Sequence, residues 1–309
     1  MKNCKIIVLV LLAAVISSCT KNVLNTPDFD VTADKTTIVK GDAVVFSFQG
    51  SPDNISFWSG ETGRVYETRN NVTATGAVNR LSFTTLVANL AAGNTGQVNN
   101  LKLLVSTDFS GKVDSASIRK ATWTDITTRA KLATSATALP SDTITVSDLA
   151  TARDTMFIAF KYQSTTNSTA SRGRSWTMAK FIYQNKFPDG SIFTHYTLDT
   201  DNRLSGFNQF SYKGTSTKDS LVWSVGTTNV FPSGVDNLSD EDWLISKPFK
   251  TSSRNPDKAV GIKNNQGTLD TYTYKFLKPG SYVVTFVANN AGAEGVKEVV
   301  KQITITVTN

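Results

Sequence analysis

The sequence predicts an all-β protein: a sandwich built from both ends of the chain, with a second β domain inserted between its halves. Three observations carry this expectation. Apolar residues recur with a period of two, the alternation of half-buried strands. The alternating runs are separated by clusters of Gly, Pro, Asn and Asp with turn chemistry. No long stretch shows helical periodicity, whereas valine and threonine are abundant.

The first element stands outside that fold. Lys2 and Lys5 flank the start of an apolar run over 6–15, and Ile16-Ser17-Ser18 leads to Cys19. A charged start, an apolar stretch shorter than the roughly 20 residues that span a bilayer, and small residues before a cysteine are the layout of an export signal. Ile16-Ser17-Ser18-Cys19 resembles a bacterial lipobox, in which the chain is cut before the cysteine and that cysteine is acylated. Residues 1–18 are therefore read as a lipoprotein signal peptide, Cys19 as the lipid attachment site, and 19–27 as a polar tether ending at Pro27. Several acyl chains on one residue exceed what stable membrane anchoring requires.

The chain has 309 residues and a formal charge of +7; without residues 1–18, 291 remain, and the loss of Lys2 and Lys5 lowers the charge to +5. That length suffices for two modest cores. The charges are scattered, with no basic stripe of the kind a nucleic-acid surface needs. Cys4 leaves with the signal and Cys19 carries lipid, so no disulfide, thiol nucleophile or cysteine-based zinc site is expected. His195 is the single histidine, which excludes HExxH chemistry and His-rich metal sites. Ser191, His195 and Asp199 lie in one strand-like stretch, where side chains point in parallel rather than converge into a triad.

Residues 28–75 open the sandwich. After the Gly41-Asp42 turn, Val44, Phe46 and Phe48 share one strand face; Gly50-Ser51-Pro52-Asp53 turns the chain, and Ile55 and Phe57 face together in the next strand. Residues 254–309 close it. Lys278-Pro279-Gly280 introduces Tyr282, Val284, Phe286 and Ala288, and then Ile303, Ile305 and Val307 alternate with polar residues. Neither end supplies the about seven strands of a sandwich, and a lone half leaves sheet edges and an apolar face uncovered. The two ends are therefore read as one domain; two separate incomplete domains are the alternative. Both ends resemble an immunoglobulin-like domain of the PKD type. The insertion, residues 76–253, holds strand-like runs at 81–87, 101–105, 156–162 and 176–181. Their order, with the phrases at 104–111, 121–126 and 242–248, resembles a galactose-binding-like, cleaved-adhesin-type jelly-roll.

The markers Lys35-Thr36-Thr37, Pro52-Asp53-Asn54-Ile55, Ser59-Gly60-Glu61, Ser106-Thr107-Asp108-Phe109-Ser110-Gly111, Thr122-Trp123-Thr124-Asp125-Ile126-Thr127, Asp242-Trp243-Leu244-Ile245-Ser246 and Pro279-Gly280 span nearly the whole chain beyond the signal. Together they resemble the DUF5017 family of Bacteroidetes lipoproteins. The resemblance implies an outer-membrane location and a place beside SusC/SusD-type glycan uptake systems. Surface-exposed lipoproteins of that kind tend to carry acidic residues just after the cysteine; here Thr20-Lys21-Asn22-Val23 has asparagine at that place. The membrane face is thus left open.

Glycan binding requires flat aromatic faces beside hydrogen-bonding groups. Trp58, beside the acceptor-rich Ser59-Gly60-Glu61, is a candidate; packing between domains is its alternative. Trp176 follows a basic loop containing Arg174, and the pair is a second candidate for an anionic or neutral sugar; a half-buried tryptophan at a strand start is the alternative. Trp123, Trp223 and Trp243 read as core. Oxygen-rich runs at Asp199 and Asp201, and at Asp240 and Asp242, are the candidates for a structural calcium, without EF-hand spacing; no other cofactor is expected. No carboxylate pair is singled out for glycoside hydrolysis, so no enzyme is expected. Asp114-Ser115-Ala116, Asp142-Thr143-Ile144, Asp154-Thr155-Met156 and Asp219-Ser220-Leu221 fit an O-glycosylation pattern of Bacteroidetes export. The expected function is a non-catalytic glycan-binding lipoprotein; the alternative is a structural or adhesive surface module that binds a protein.

Overall fold

The computed structural model describes residues 24–309 except 89–91, 151–153, 167, 169, 198–205, 213–228 and 232–238. Residues 1–23, with Cys19 and the segment read as a signal, lie outside the described residues. The chain is all-β, and divides into two compact units: residues up to Asn70 with Pro256–Asn309, and Asn71–Asn255.

In the first unit each sheet combines strands from both ends of the chain. One sheet places Ala43–Gly50 between Phe29–Ala33 and Thr271–Lys275. The other runs in the order Val260–Lys263, Asn54–Trp58, Gly280–Gly292, Gly295–Thr308, Thr37–Val39. Its last pair is parallel, Thr37 opposite Thr306. The inward positions of the alternating strands meet in one core: Val44, Phe46, Ile55, Phe57, Val284, Phe286 and Ile305 are buried. Phe286 packs edge-on against Phe46 at 5.0 Å and lies 5.3 Å from Phe57, which also touches Tyr272 and Tyr274 at 4.9 Å. Each such ring, fully buried, contributes about 1.5–3 kcal/mol. The core thus draws its aromatics from residues more than 200 positions apart in sequence.

Two glycines are demanded by close approach. Gly50 has φ +92°, and a Cβ there would lie 2.0 Å from the Asp28 carbonyl oxygen. Gly60 has φ +78°, and a Cβ there would lie 2.8 Å from the Val283 carbonyl oxygen.

The second unit is also a pair of sheets. The first runs Ile192–Thr197, Trp176–Lys186, Val78–Val87, Leu139–Pro140, with Ile144–Thr145 and Asn229–Phe231 as side pairings. The second runs Phe207–Tyr212, Asp240–Ser246, Thr155–Ser164, Leu101–Ser106, Thr124–Asp125. Between them lies the larger core, with Leu81, Phe83, Met178, Phe181, Leu103, Ile158 and Phe160. Met156 to Phe160 read as one apolar run because both faces of that strand are covered. Ile158 and Phe160 enter the inter-sheet core, while Phe157 and Ala159 join an outer cluster with Leu104, Phe109, Ile118, Trp243 and Ile245.

That outer cluster is capped by a helix, Ser115–Lys120, that periodicity could not reveal. Its six residues are too few to show a repeat. Its start is nonetheless written in Asp114, whose side chain accepts from the Ser117 amide at 2.7 Å and caps the first turn. Among the described residues, no helix is long and apolar enough to cross a membrane.

The two left-handed glycines Gly41 and Gly50 separate backbone strain from steric clash, since nothing lies within 4 Å of a Cβ built at Gly41. Gly41→Ala is expected to cost about 1–2 kcal/mol from φ alone. Gly50→Ala should cost clearly more, because the Phe29–Ala33 strand must shift. Urea unfolding of both variants checks the ranking; equal losses would remove the steric argument.

Candidate functional site

Where the two sheets of the second unit part, a cavity of about 560 Å³ opens. Val87 ends a strand of one sheet, and Leu101 begins a strand of the other. Trp176, paired with Val87, forms a wall and is only 7% exposed. Its Nε1–H donates to Asn100 Oδ1 at 3.0 Å. This bond fixes the amide: flipped, Asn100 would set two donors against each other. Asn100 is 4% exposed, and its Nδ2 has no hydrogen-bond partner among the described residues. Asn99 beside it sits in the left-handed region with φ 58°, which asparagine tolerates better than most residues.

Charged groups border the same space. Arg174 donates through Nε to the Ala88 carbonyl at 3.0 Å and through Nη1 to the Thr134 carbonyl at 3.2 Å. Lys102 pairs with Asp125 at 3.1 Å. Asp125 also accepts from the amide and hydroxyl of Thr127, at 3.0 and 2.6 Å. Burial pushes the Asp125 pKa up, but the Thr127 bonds and Lys102 outweigh it and hold the carboxyl below its usual range. Thr127 Oγ1 in turn accepts from the Leu103 amide at 2.9 Å. The rim loop is pinned by Gln97, whose amide donates to the Arg172 carbonyl at 2.7 Å and whose side chain accepts from the Thr165 amide and donates to its carbonyl, each at 3.0 Å. The result is an indole wall, apolar sides at Leu132 and Ala133, and a few fixed polar groups. That is the make-up of a small-molecule site, and 560 Å³ falls in the usual range for one.

The DUF5017 family, a domain of unknown function, matches residues 18–202, more than half of the chain. The chain belongs to the DUF5017 family. No curated protein and no solved structure matches it. The match covers the first half of the split sandwich and much of the second unit, including Arg174 and Trp176. The markers at 242–246 and 279–280 lie beyond it.

The DUF5017 chain brings Trp176 and Arg174 to one cavity, but Trp58 belongs to the other unit. Trp58 is 8% exposed, with the Tyr66 ring edge-on at 5.7 Å and Arg69 lying over Tyr66 at 3.8 Å. Such a ring offers no open face to a sugar, which corrects its candidacy. One neighbouring acceptor is also engaged: Glu61 Oε2 accepts from Ser59 at 3.1 Å and from Tyr274 at 2.5 Å. Trp176 is likewise a buried wall rather than an exposed platform. Trp243 is buried in the outer cluster and Trp123 packs half-buried against it; Trp223 lies outside the described residues.

Of the calcium candidates, Asp199 and Asp201 lie outside the described residues, as does the side chain of Asp240. Asp242 is fully buried in mid-strand, opposite Tyr162 and Ser211. No group of three or more potential metal ligands occurs among the described residues. Asn100, Lys102, Asp125 and Thr127 were missed as site residues. Asp125-Ile126-Thr127 carried a signal, since Asp and Thr two apart commonly close a local turn. Asn100 carried none, because its role comes from a partner 76 residues away.

His195 joins a polar network with Asn185, and Asp199 lies outside the described residues. Asn185 Nδ2 contacts its Nε2 at 3.0 Å and also donates to the carbonyls of Lys250 and Ser253, while Asn185 Oδ1 accepts from Asn79. With the amide so oriented, Nε2 must be the unprotonated nitrogen. Ser191 Oγ donates to Asp189 at 2.6 Å. Burial lowers the His195 pKa below 6.5, outweighing the Lys250 carbonyl and the Asp154 carboxylate. The unfolded chain therefore takes up this proton first as pH falls. The stability contributed by neutral His195 is complete above about pH 6.5 and declines as pH drops toward the folded value. The DUF5017 chain should melt a few degrees lower at pH 5.5 than at pH 7.5, and His195→Gln should narrow that difference. Scanning calorimetry at both pH values checks this; an unchanged gap in the variant would assign the effect elsewhere.

Proposed function

We propose that this DUF5017 chain is a non-catalytic lipoprotein, held in the outer membrane through acylated Cys19, that binds glycan for a SusC/SusD-type uptake partner. The single observation that supports the reading is the cavity in the second unit. Apolar lining at Val98 and Leu132, backed by the buried Trp176, suits the apolar face of a sugar ring. The fixed groups around it, Asn100, Asp125, Thr127 and Arg174, suit hydroxyls and ring oxygens. The anchor reading rests on Lys2, Lys5, the apolar run and Ile16-Ser17-Ser18-Cys19.

A second reading, docking of a protein strand, draws on the long strand Gly295–Thr308. Among the described residues its outer neighbour, Thr37–Val39, pairs only with residues 306–308. The edge before them carries exposed Val296 and Val300. Unpaired edges of this kind accept an added strand, although Lys297, Glu298 and Lys301 along it work against indiscriminate pairing.

Two measurements test the main proposal. Cys19→Ser should abolish acyl labelling and move the protein out of the membrane fraction; retention in the membrane with no label would overturn the anchor. On a glycan array the acyl-free chain should bind at least one carbohydrate class. Arg174→Ala should weaken that binding about tenfold, a loss of about 1.4 kcal/mol, while Trp58→Phe should leave it unchanged. No binding, or binding lost through Trp58 alone, would reject the cavity as the site.

A further inference from the structure

Resting on the glycan reading of this cavity, we infer that its ligand is an acidic carbohydrate, with a carboxylate placed on Arg174 and an oxygen of the ligand accepting from Asn100 Nδ2. Two features that the protein leaves unbalanced carry the inference.

The first is the Asn100 amide. Its residue is 4% exposed, its oxygen is committed to the Trp176 indole at 3.0 Å, and its nitrogen has no partner among the described residues. A buried donor left unpaired is costly, and the protein keeps few of them without a reason. The indole bond prevents the amide from turning to relieve it. The fixed N–H lies covered at the cavity wall, so a ligand oxygen that displaces its cover would pair it.

The second is the charge balance of the lining. Three charged side chains border the cavity: Lys102, Asp125 and Arg174. Lys102 and Asp125 neutralise each other at 3.1 Å, and Asp125 is further satisfied by Thr127. Arg174 is bonded to the Ala88 and Thr134 carbonyls, and none of the ion pairs among the described residues includes it. Two main-chain carbonyls hold the guanidinium in place but do not cancel its charge. An arginine fixed this way is prepared for an anion, and its planar fork matches a carboxylate better than a lone hydroxyl. A neutral sugar would leave that charge unmatched, whereas a uronic acid would answer both the charge and the free donor.

The test uses the full chain carrying Cys19→Ala, so that acylation is removed and the cavity is untouched. Calorimetric titration compares galacturonic acid oligomers with neutral galactose oligomers of the same length at low ionic strength. The acidic ligand should bind about tenfold tighter or more. The gap should shrink in 0.5 M salt and close in Arg174→Gln, with Arg174→Lys in between. Asn100→Asp keeps an acceptor for the Trp176 indole but replaces the free donor with a second acceptor. It should therefore weaken the acidic ligand more than the neutral one. Melting curves of each variant establish that it is folded. Equal affinity for both ligands would overturn the inference and leave the glycan reading standing. Binding of neither would overturn the glycan reading and the inference with it. Tighter binding of a sulfated galactose than of the uronate would overturn the carboxylate assignment.

Discussion

The architecture depends on one pairing: the strand Asn54–Trp58, from the front of the chain, lies between Val260–Lys263 and Gly280–Gly292 from its end. Without the late strands the early ones would present an aromatic face and two open edges to water. Phe57 shows the dependence in one side chain, since Tyr272, Tyr274 and Phe286 surround it and all come from the far end. The long connection between these halves raises the entropy of closure only slowly with its length. A folded insertion can therefore occupy it at modest cost.

The departing and returning chains are held beside each other within each unit. In the first unit Lys258 donates to the Gly63 carbonyl, Arg64 reaches the carbonyls of Lys258 and Ala259, and Val65 and Thr68 donate to the Asp257 carboxylate. In the second, Ala74 donates to the Ser252 carbonyl and Arg254 to that of Val72. Asp257 is 4% exposed, and donors such as these make its buried carboxylate tolerable.

The cavity follows from the same economy of pairing. Sheets packed face to face fill their middle with alternating side chains, but at the strand ends the facing rows run out. There the second unit ends its core on Val87, Leu101 and Trp176, and polar loop residues take over. The Trp176–Asn100 bond joins the two regimes, satisfying the indole while leaving an amide donor at the boundary. In the first unit Trp58 met a different outcome. Alternation places it opposite Phe57, as its sequence position indicates, but Tyr66 packs edge-on against it and leaves it 8% exposed. Short-range pattern carries the direction of a side chain and not what later covers it.

What the sequence determined by itself is the part governed by local periodicity and by counting. Alternating apolar residues dictate strands, incomplete strand sets at both ends require each other, and a single histidine excludes sites built on two or more histidines. The tertiary structure alone decided which tryptophan borders a cavity, which acceptors were already spent, and which donor and which arginine were left unbalanced. Those properties arise between residues 76 or 213 positions apart, as in Asn100 with Trp176 or Glu61 with Tyr274. Hydrogen bonding and charge compensation are set by distances in space, which strand periodicity does not encode.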